Sequence, residues 1–597
     1  MRHYTMALWR RSSTYISRSL RKRGLDLTRS HPLFAWAFLF FMALTLFLTD
    51  AIFSLHAVNF TDVVPDTPLD QWLQFPARQL FPGYTITWTR FPYARLPSVV
   101  PLEGWTAALF LMASFILLFG FYMQAIRSLA RHVSLKYILG SAAVFGVLCL
   151  FFQATTSQDI FSYIAYARMA TLYHVNPLAT SPQAIPHDLI YRYLYWTDQP
   201  SAYGPTWIMI TAPLQWLTSF FGNANLLPMI LLLRGLGIIA HLSSAFLIWQ
   251  LSGILIDPDA VEARARRLQA TLAFAWNPLL LLEAVVNAHN DTVILALVLL
   301  TLYLLSKVKV TQGRLLRIAL AMFVFALAIC VKINLIILLP GVVLFLYRRQ
   351  PRSIALCITG IIVCIATIVL LYIPFWQNGA VLQLLQVNPS THRNINSPYE
   401  FLARLFVSLS GQPFPKLRDN QGAWIEQVTH TISFIAFGLL YAGLYIRALI
   451  NSRHLSSLYE LVKWMALVWL LYCLVGSPWL WPWYLVTFFG LFALLEVRDL
   501  KDLRISYWLD LAKAARLFAF ALLGLYCFGT WVLHTTPVPI LYSFQWQFVR
   551  GLWLCLLPLL ALRGSYPFWQ RWRLSWSKIV KKNLPEMAVE KQEASVL

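Results

Sequence analysis

Long apolar stretches separated by short polar segments recur along the whole chain. Most stretches have roughly 17 to 25 residues, the length that an α-helix needs to cross about 30 Å of hydrocarbon. This pattern predicts an all-α polytopic membrane protein with about 14 transmembrane helices. We place these helices near residues 33–53, 105–126, 137–156, 228–252, 270–287, 291–306, 316–331, 333–347, 353–376, 428–447, 463–476, 483–497, 514–533 and 546–562.

Basic residues are concentrated in the N-terminus and in short loops on one side of these helices, as the positive-inside rule requires of the cytoplasmic face. Both termini are then cytoplasmic, which requires an even number of crossings. The stretch 205–221 would make the number odd, so we predict a half-inserted or interfacial helix there. The predicted organisation is a cytoplasmic basic N-terminus (1–32), a polytopic membrane domain (33–562) with outer loops 54–104, 157–227 and 377–427, and a basic, then disordered cytoplasmic tail (563–597).

Composition supports this class and excludes others. Of 597 residues, 59% are hydrophobic and only 12% are charged, which excludes a water-soluble domain of this size. The net charge of +23 is explained by the cytoplasmic loops, so we expect no nucleic acid partner. The N-terminus does not resemble a signal peptide, because the first apolar stretch is long enough to remain as a membrane helix. All seven cysteines lie in apolar segments, which indicates neither a disulfide framework nor a cysteine metal site.

Asp159 opens a polar and aromatic segment directly after an apolar stretch. Ionisable groups at membrane edges are functional candidates, because hydrocarbon penalises them unless they face a cavity or a partner. We predict a short amphipathic helix over 159–173 that lies along the membrane interface. Ser162, Tyr163 and Tyr166 share the face of Asp159 on this helix. Arg168 falls on the opposite side, so Asp159 and Arg168 should not pair. The alternative is that Asp159 only caps the helix, since Asp is a preferred N-cap residue.

Further polar groups should converge on the outer face without being adjacent in sequence. Arg234 lies about 9 Å below the outer end of its helix, Lys332 closes another helix, and His289 with Asp291 stands between two more. A carboxylate can take a proton from a hydroxyl group, and Arg or Lys can bind a phosphate. The alternatives are that Arg234 snorkels to the interface, that Lys332 marks an interface, and that His289 with Asp291 caps the next helix.

Other features have two interpretations each. Glu283 lies in an apolar segment two helical turns before Asp291, where it can face the same cleft or pair with Arg234. Three tryptophans, Trp479, Trp481 and Trp483, are typical of an aromatic belt at the membrane interface. The alternative role for these tryptophans is stacking against a sugar.

The order of several short motifs resembles the polyprenyl-phosphate-mannose-dependent α-mannosyltransferases of the GT-C superfamily, and especially bacterial enzymes that build mannans on lipids. The resemblance covers about residues 137–490. Leu178 departs from the pattern, since the family has Tyr after Asn-Pro. The motifs are Asp159 with Tyr163, Asn176-Pro177, Tyr203-Gly204-Pro205, Arg234, Asn277-Pro278, His289-Asn290-Asp291, Val331-Lys332, Ser397-Pro398-Tyr399 and Pro482-Trp483-Tyr484.

The resemblance implies a GT-C-like bundle with extracytoplasmic juxtamembrane helices in the plasma membrane. It implies an inverting transfer of a hexose, expected to be mannose, from a polyprenyl-phosphate donor to a glycolipid or glycan acceptor on the outer face. No metal and no other cofactor are expected. The resemblance implies Asp159 as the general base, donor phosphate binding by Arg234, Lys332 and Arg168, and substrate or sugar binding by Tyr163, Asn176, Tyr203, His289, Asn290 and Asp291.

Two other functions are compatible with membrane-embedded cations. One is a transporter or flippase for a polyprenyl lipid or polysaccharide, and the other is an inactive relative that serves as a scaffold. Transporters often contain internal repeats with broken helices near the midplane. The sequence shows no such repeat, and the retained carboxylate and cations favour an enzyme over a scaffold.

Overall fold

The computed structural model of the chain is built almost entirely from helices in the part that it describes, which confirms the predicted all-α class. Two-residue strands Thr61–Asp62 (β1) and Ala154–Thr155 (β2) pair antiparallel. The basic N-terminus, most of outer loops 54–104 and 377–427, and the tail 563–597 lie outside the described residues. The structure describes residues 32–55, 61–62, 101–130, 132–152, 154–256, 262–307, 313–349, 354–383, 396–397, 420–477, 479–498, 500, 505, 508–527 and 544–562.

Three apolar helices begin the bundle: α1 (Pro32–Leu55), α2 (Pro101–Ser128) and α3 (Leu135–Leu150). Helix α1 packs against both of the others. Between α1 and α2, the rings of Phe53 and Phe115 meet edge to face with centroids 6.4 Å apart. Such aromatic contacts add to the burial of apolar surface in holding the helices together.

Two helices of the outer loop pack against each other: α4 (Asp159–Thr171) and α5 (Pro205–Ser219). Every residue of α4 from 160 to 169 is buried. The prediction of an amphipathic helix lying along the membrane interface is therefore wrong for α4, because protein encloses it on all sides. Helix α5 has 15 residues, too few to cross about 30 Å of hydrocarbon. Its depth in the membrane stays a prediction.

A broken helix carries one of the motifs. Helix α7 (Ala263–Ala275) and helix α8 (Pro278–Leu281) are bent by 50° relative to each other. The break occurs at Asn277, because the proline that follows disfavours helical geometry at the preceding residue. The Asn277 side chain accepts a hydrogen bond from the Leu279 amide at 3.1 Å and so caps α8.

Helix α8 continues into a π-helical segment, Leu282–Val286, which contacts the long helix α6 (Leu227–Leu255). Gly237 of α6 allows this contact. A Cβ atom at Gly237 would lie 1.7 Å from the Ala284 carbonyl oxygen, so no larger residue fits without backbone movement. π-helical turns occur frequently at functional sites, so the residues that follow this segment are candidates for such a site.

A group of neighbouring helices follows. Helix α9 packs against α6 and α10, and α10 packs against α12. The chain reverses between α9 and α10, so the start of α9 and the end of α10 lie at the same end of the bundle. These helices are α9 (Asp291–Ser306), α10 (Arg314–Ile329), a 3-10 segment (Ile333–Leu338), α11 (Leu339–Arg349) and α12 (Ile354–Tyr372).

The C-terminal helices complete the bundle. Helix α14 packs on α15, α15 packs on α6 and α9, and α16 packs on α2 and α8. The helices are α13 (Asn420–Ile450), α14 (Leu458–Leu471) with a π-helical extension (Tyr472–Gly476), a 3-10 turn (Pro482–Leu485) leading into α15 (Val486–Leu495), α16 (Leu511–Tyr526) and α17 (Phe544–Leu556).

The predicted number of about 14 membrane helices is not confirmed. In the described residues, six helices are long and apolar enough to span a membrane, or seven if the bent pair α7 and α8 counts as one. Several predicted spans are shorter helices. Helix α9, for example, has the predicted bounds but only 16 residues, or about 24 Å of rise, which is less than the thickness of the hydrocarbon.

Candidate active site

Asp159 is the first residue of α4, and its carboxylate accepts a hydrogen bond from a tyrosine of the same outer loop. Tyr203 Oη donates to Asp159 Oδ2 at 3.0 Å. Gln158, and not Asp159, precedes the helix, so the capping alternative is wrong. The Asp159 side chain is 19% exposed. Burial raises the pKa of its carboxyl group to about 6, the range that suits a base at neutral pH.

The face of α4 that carries Asp159 also carries two tyrosines, as the helical spacing predicted. The ring of Tyr203 lies 4.8 Å from that of Tyr163 and 6.4 Å from that of Tyr166, centroid to centroid. Tyr163 Oη lies 3.4 Å from Nδ1 of His289. Tyr163 therefore connects α4 to the turn that precedes α9.

The Tyr203-Gly204-Pro205 motif is attached to the end of α10. The Gly204 amide donates to the Val331 carbonyl at 3.0 Å, and the Thr206 amide donates to the Cys330 carbonyl at 3.1 Å. A Cβ atom at Gly204 would lie 2.3 Å from the Cys330 carbonyl oxygen. Only glycine permits this approach, which joins the loop of Tyr203 to the backbone next to Lys332.

Lys332 and Asp291 form an ion pair between neighbouring helices. Lys332 Nζ donates to the two Asp291 carboxylate oxygens at 3.1 and 3.2 Å. The ammonium group also lies 4.1 Å from the ring centroid of Tyr484, a cation–π distance. The Asp291 side chain is 1% exposed, whereas that of Lys332 is 14% exposed. The cation is thus the more accessible member of the pair.

His289 is buried between aromatic and acidic groups. Its ring stacks on Trp483 with centroids 4.0 Å apart and an interplanar angle of 16°. Nδ1 of His289 lies 3.7 Å from Asp159 Oδ2. Burial, and then the positive charge of Lys332, lower the pKa of His289 well below its usual value. The imidazole is therefore neutral at neutral pH.

The three tryptophans of the predicted aromatic belt form part of this packing. Trp481 and Trp483 stack with centroids 5.0 Å apart and planes 8° apart. Trp479 and Trp483 are 9% and 7% exposed. The prediction of a belt facing the membrane interface is wrong for these two, because they pack against protein and one of them covers His289.

Arg234 lies deeper, and its guanidinium group binds backbone. Nε donates to the Val286 carbonyl at 3.1 Å, and Nη1 donates to the carbonyls of Leu150 and Phe152 at 2.9 and 2.5 Å. The residue is 1% exposed, so the snorkelling alternative is wrong. These bonds satisfy carbonyls where helices end. Donor phosphate binding by Arg234 stays a prediction.

Arg168 and Asn176 also contact protein groups. Arg168 donates to Asp188 through Nε and Nη2 at 2.8 to 3.0 Å. The prediction that Arg168 does not pair with Asp159 agrees with this bidentate pair. Asn176 Nδ2 donates to the Phe375 carbonyl at 2.7 Å. The substrate roles predicted for Arg168 and Asn176 stay predictions, and these contacts give both a part in holding the outer loop.

The comparison with protein families indicates which reaction this site supports. Residues 83–348 match the family model of the MptA_B family, described as alpha-(1->6)-mannopyranosyltransferase, N-terminal domain. The protein is a glycosyltransferase. The matched segment of the glycosyltransferase includes Asp159, Tyr203, His289, Asp291 and Lys332, the residues that the structure brings together. No curated protein and no solved structure matches the chain.

Some residues near the site had no predicted role. Tyr484 belongs to the Pro482-Trp483-Tyr484 motif but had no predicted role of its own, whereas Trp483 was predicted to belong to an aromatic belt or to stack against a sugar. Tyr526 contacts Glu283 from a predicted membrane helix, where no neighbouring polar residue signals it. In the described part of the glycosyltransferase, no group of three or more His, Cys, Asp or Glu side chains is arranged to hold a metal ion.

Proposed function

We propose that the protein transfers mannose, with inversion, from a polyprenyl-phosphate donor to a hydroxyl group of a glycolipid or glycan acceptor, at the outer face of the membrane. The observation that carries this proposal is the meeting of a carboxylate and a cation. Tyr203 donates to Asp159, the candidate base, and the amide of the next residue, Gly204, donates to the Val331 carbonyl beside Lys332, so the loop brings the two groups to one place. A transfer from a phosphate donor needs both groups at one place.

Asp159 is suited to the base role in this proposal. Its carboxylate is oriented by Tyr203 and remains partly exposed, so an acceptor hydroxyl can reach it. A base must be ionised to accept a proton, and a pKa of about 6 leaves Asp159 ionised at neutral pH. The same value makes it a stronger base than an ordinary aspartate.

Lys332 is the better candidate for the leaving phosphate. Its ammonium group is partly exposed and, with Asp291, is positioned at the joined ends of α9 and α10. Arg234 is buried and donates to three backbone carbonyls. We therefore assign the phosphate contact to Lys332, and assign to Arg234 the support of the helix ends beneath the site.

Asn290 is a candidate for binding sugar hydroxyls. Both its side-chain nitrogen and its side-chain oxygen are buried, and neither has a hydrogen-bond partner among the described residues. Unpaired buried amide groups cost free energy unless a ligand satisfies them. The neighbouring Asp291 already pairs with Lys332, whereas the amide of Asn290 is unpaired and is therefore the group of this turn that we assign to a sugar hydroxyl.

The test is transfer by purified protein in lipid vesicles, with labelled polyprenyl-phosphate mannose as donor and a mannolipid as acceptor. Asp159→Asn keeps the size of the side chain and a hydrogen-bond acceptor for Tyr203, so folding should survive. Since a general base contributes roughly 10²–10⁴-fold, kcat should fall by about that factor with little change in donor binding. Near wild-type transfer by this variant would exclude Asp159 as the base, and wild-type protein that moves the lipid without transferring sugar would indicate a flippase.

A further inference from the structure

A row of aromatic rings connects the outer loop 157–227 with the candidate active site. Its inner end is the ring of His289, and the neighbouring ring centroids along it are 4.5, 6.2, 5.9, 5.0 and 4.0 Å apart. These are contact distances for aromatic side chains, so the rings form a continuous series, called the aromatic row below. From the outside inwards, its members are Tyr195, Trp196, Trp479, Trp481 and Trp483.

The outer end of the aromatic row is fixed to the helix that carries the candidate base. Tyr166 Oη donates to the Gln199 carbonyl, three residues after Trp196, at 3.2 Å. Tyr166 shares the face of α4 with Asp159. The side chains at this end remain accessible, since Tyr195 is 53% exposed and Trp196 is partly exposed. A ligand bound to Asp159 can therefore reach these rings only by extending along the outer loop.

At the inner end, Trp481 is the ring that a ligand can contact. Trp483 stacks with both Trp481 and His289 and is only 7% exposed, so little of its surface is left. Trp481 is partly exposed, although Trp483 covers one of its faces with planes 8° apart. The accessible surface of Trp481 therefore lies on its other face and its rim, next to rings that pack against the site.

Accessible indole rings beside polar groups suit a glycan. The face of an aromatic ring is negative, so it attracts the C–H groups of a sugar ring, which neighbouring oxygen atoms make slightly positive. The hydroxyl groups of the sugar need polar partners as well. Asp198 is exposed two residues after Trp196, and the side chain of Asn290, which follows His289, is buried without a hydrogen-bond partner among the described residues. Polar groups thus accompany the aromatic row at both ends.

The polyprenyl chain of the donor is a poorer occupant. Its hydrocarbon gains little from leaving the lipid, because lipid tails are as apolar as the side chains of a protein. Exposed charges stand on either side of Trp196 in the sequence, at Arg192 and Asp198. A row that leads towards such charges offers nothing to a hydrocarbon chain, whereas a glycan can hydrogen-bond to them.

We propose that the aromatic row is an acceptor subsite, in which Trp481 and Trp196 stack against sugar units of a glycan acceptor. This inference rests on the proposed function. The hydroxyl group that receives mannose lies at Asp159, Trp481 contacts a neighbouring sugar unit, and Trp196 contacts a unit farther out. Trp479 and Trp483 hold these two rings in place. Acceptors with several sugar units should therefore bind more tightly than an acceptor with one.

The test measures the acceptor KM of the full-length protein in lipid vesicles, with synthetic mannolipids that carry one to four mannose units. For the wild type, KM should fall as units are added. Trp481→Ala should raise the KM of the longer acceptors about 10-fold, the order expected for loss of one aromatic contact, and leave the donor KM unchanged. Trp481→Phe keeps a flat ring and should recover most of the affinity.

Trp196→Ala tests the outer end, and remains informative if Trp481→Ala does not fold. It should raise KM only for the acceptors with three or four units. A merely structural role of Trp196 would change KM for all acceptors alike, so a uniform change would contradict its place in the subsite.

Trp216→Ala is the matched control. Trp216 is also a tryptophan of the outer loop, 59% exposed and in contact with an aromatic neighbour, Phe220, at 5.1 Å between centroids. It does not belong to the aromatic row, and its loss should leave every acceptor KM at the wild-type value. Equal increases in Trp216→Ala and Trp481→Ala would overturn the subsite. So would a wild-type KM that does not depend on the number of sugar units. A donor KM that rises in Trp481→Ala with the length of the polyprenyl chain would show that the row binds lipid instead.

The outcomes separate the two proposals. If Asp159→Asn loses transfer while Trp481→Ala and Trp196→Ala keep the wild-type KM for every acceptor, the subsite is wrong and the proposed function stands. Calorimetry with soluble mannotetraose and the purified protein requires no transfer, so it tests the subsite even if the proposed reaction fails. Binding to the wild type that is weakened in Trp481→Ala, but not in Trp216→Ala, would support the subsite. Equal binding to all three proteins, or none to the wild type, would overturn it.

Discussion

The Asp159 carboxylate lies among groups with opposing effects on its pKa. Burial raises the pKa most, the hydrogen bond from Tyr203 and the charge of Lys332 lower it, and the charge of Asp291 raises it. The result of about 6 is some two units above an ordinary aspartate. At the scale of single residues, the strength of the candidate base is therefore set by burial and by neighbours that come from three separate segments.

This pKa predicts the pH dependence of transfer. The ionised fraction of Asp159 falls tenfold for each pH unit below its pKa, so kcat/KM should be level above about pH 7 and decline below about pH 6. Tyr203→Phe removes a hydrogen bond that favours the ionised form, so its acid limb should move to higher pH. An acid limb near pH 4 in the wild type, or no movement in the variant, would show that Asp159 does not control the rate.

We expect the loss of Lys332 to weaken donor binding and the loss of Arg234 to lower stability. Lys332→Gln should raise the donor KM about 10-fold or more, since a phosphate contact contributes about 1.5–3 kcal/mol. Lys332→Arg should retain most affinity because it keeps the charge.

Arg234→Lys leaves buried carbonyls unpaired, at about 1–3 kcal/mol each. It should lower the melting temperature in detergent and leave the donor KM unchanged. A raised donor KM in Arg234→Lys at normal stability would restore its predicted phosphate role.

At the scale of elements, the site depends on backbone contacts between segments that end near one another. The outer loop joins the end of α10 through Gly204, and α6 meets the π-helical segment through Gly237. In both contacts a carbonyl oxygen occupies the space of a Cβ atom. These glycines are therefore required by close approach of backbone, and they hold Tyr203 and the turn of His289 in position.

Gly204→Ala tests the first of these contacts. The added Cβ would lie 2.3 Å from the Cys330 carbonyl oxygen, so the loop must move away from α10. Because misplacement by about 1 Å can cost roughly 10²-fold in rate, we expect kcat to fall by that order. Gly120→Ala in α2 is the control, since nothing lies within 4 Å of its added Cβ. Equal activity of the two variants would contradict the importance of the loop contact.

At the scale of the whole molecule, the arrangement of the chain across the membrane stays a prediction. The candidate residues from α4, the turn before α9 and the segment after α10 meet at one end of the bundle, as the predicted topology requires. The family match covers only residues 83–348. Tyr484 and Tyr526 come from beyond it and complete the surroundings of Lys332 and Glu283.

Cysteine labelling tests this topology, in a background without the native cysteines. Ala184 of the outer loop and Arg264 of a predicted cytoplasmic loop are both exposed, whereas Asn290 is fully buried and unsuitable. An impermeant maleimide should label Ala184→Cys in intact cells, and Arg264→Cys only after permeabilisation. The reverse pattern would place the site on the cytoplasmic side and overturn the topology.

The sequence alone determined the class of the protein and the order of its motifs. Hydropathy and charge placement are local properties, so the apolar stretches predicted helices, and helical spacing predicted the common face of Asp159, Tyr163 and Tyr166. The motifs from Asp159 to Lys332 indicated an α-mannosyltransferase, and residues 83–348 match the family model of an α-mannosyltransferase. The predicted number of about 14 membrane helices is not confirmed in the described residues, since apolar composition does not show where helices end.

Only the tertiary structure decided which partner each polar group has. Arg234 was predicted to bind phosphate because its depth and charge are readable in the sequence, but the carbonyls that it binds belong to distant segments. The same holds for Glu283 and Tyr526, which are 243 residues apart along the chain. Contacts between distant segments depend on how helices pack and where they break, and hydropathy and spacing along one segment carry no information about either.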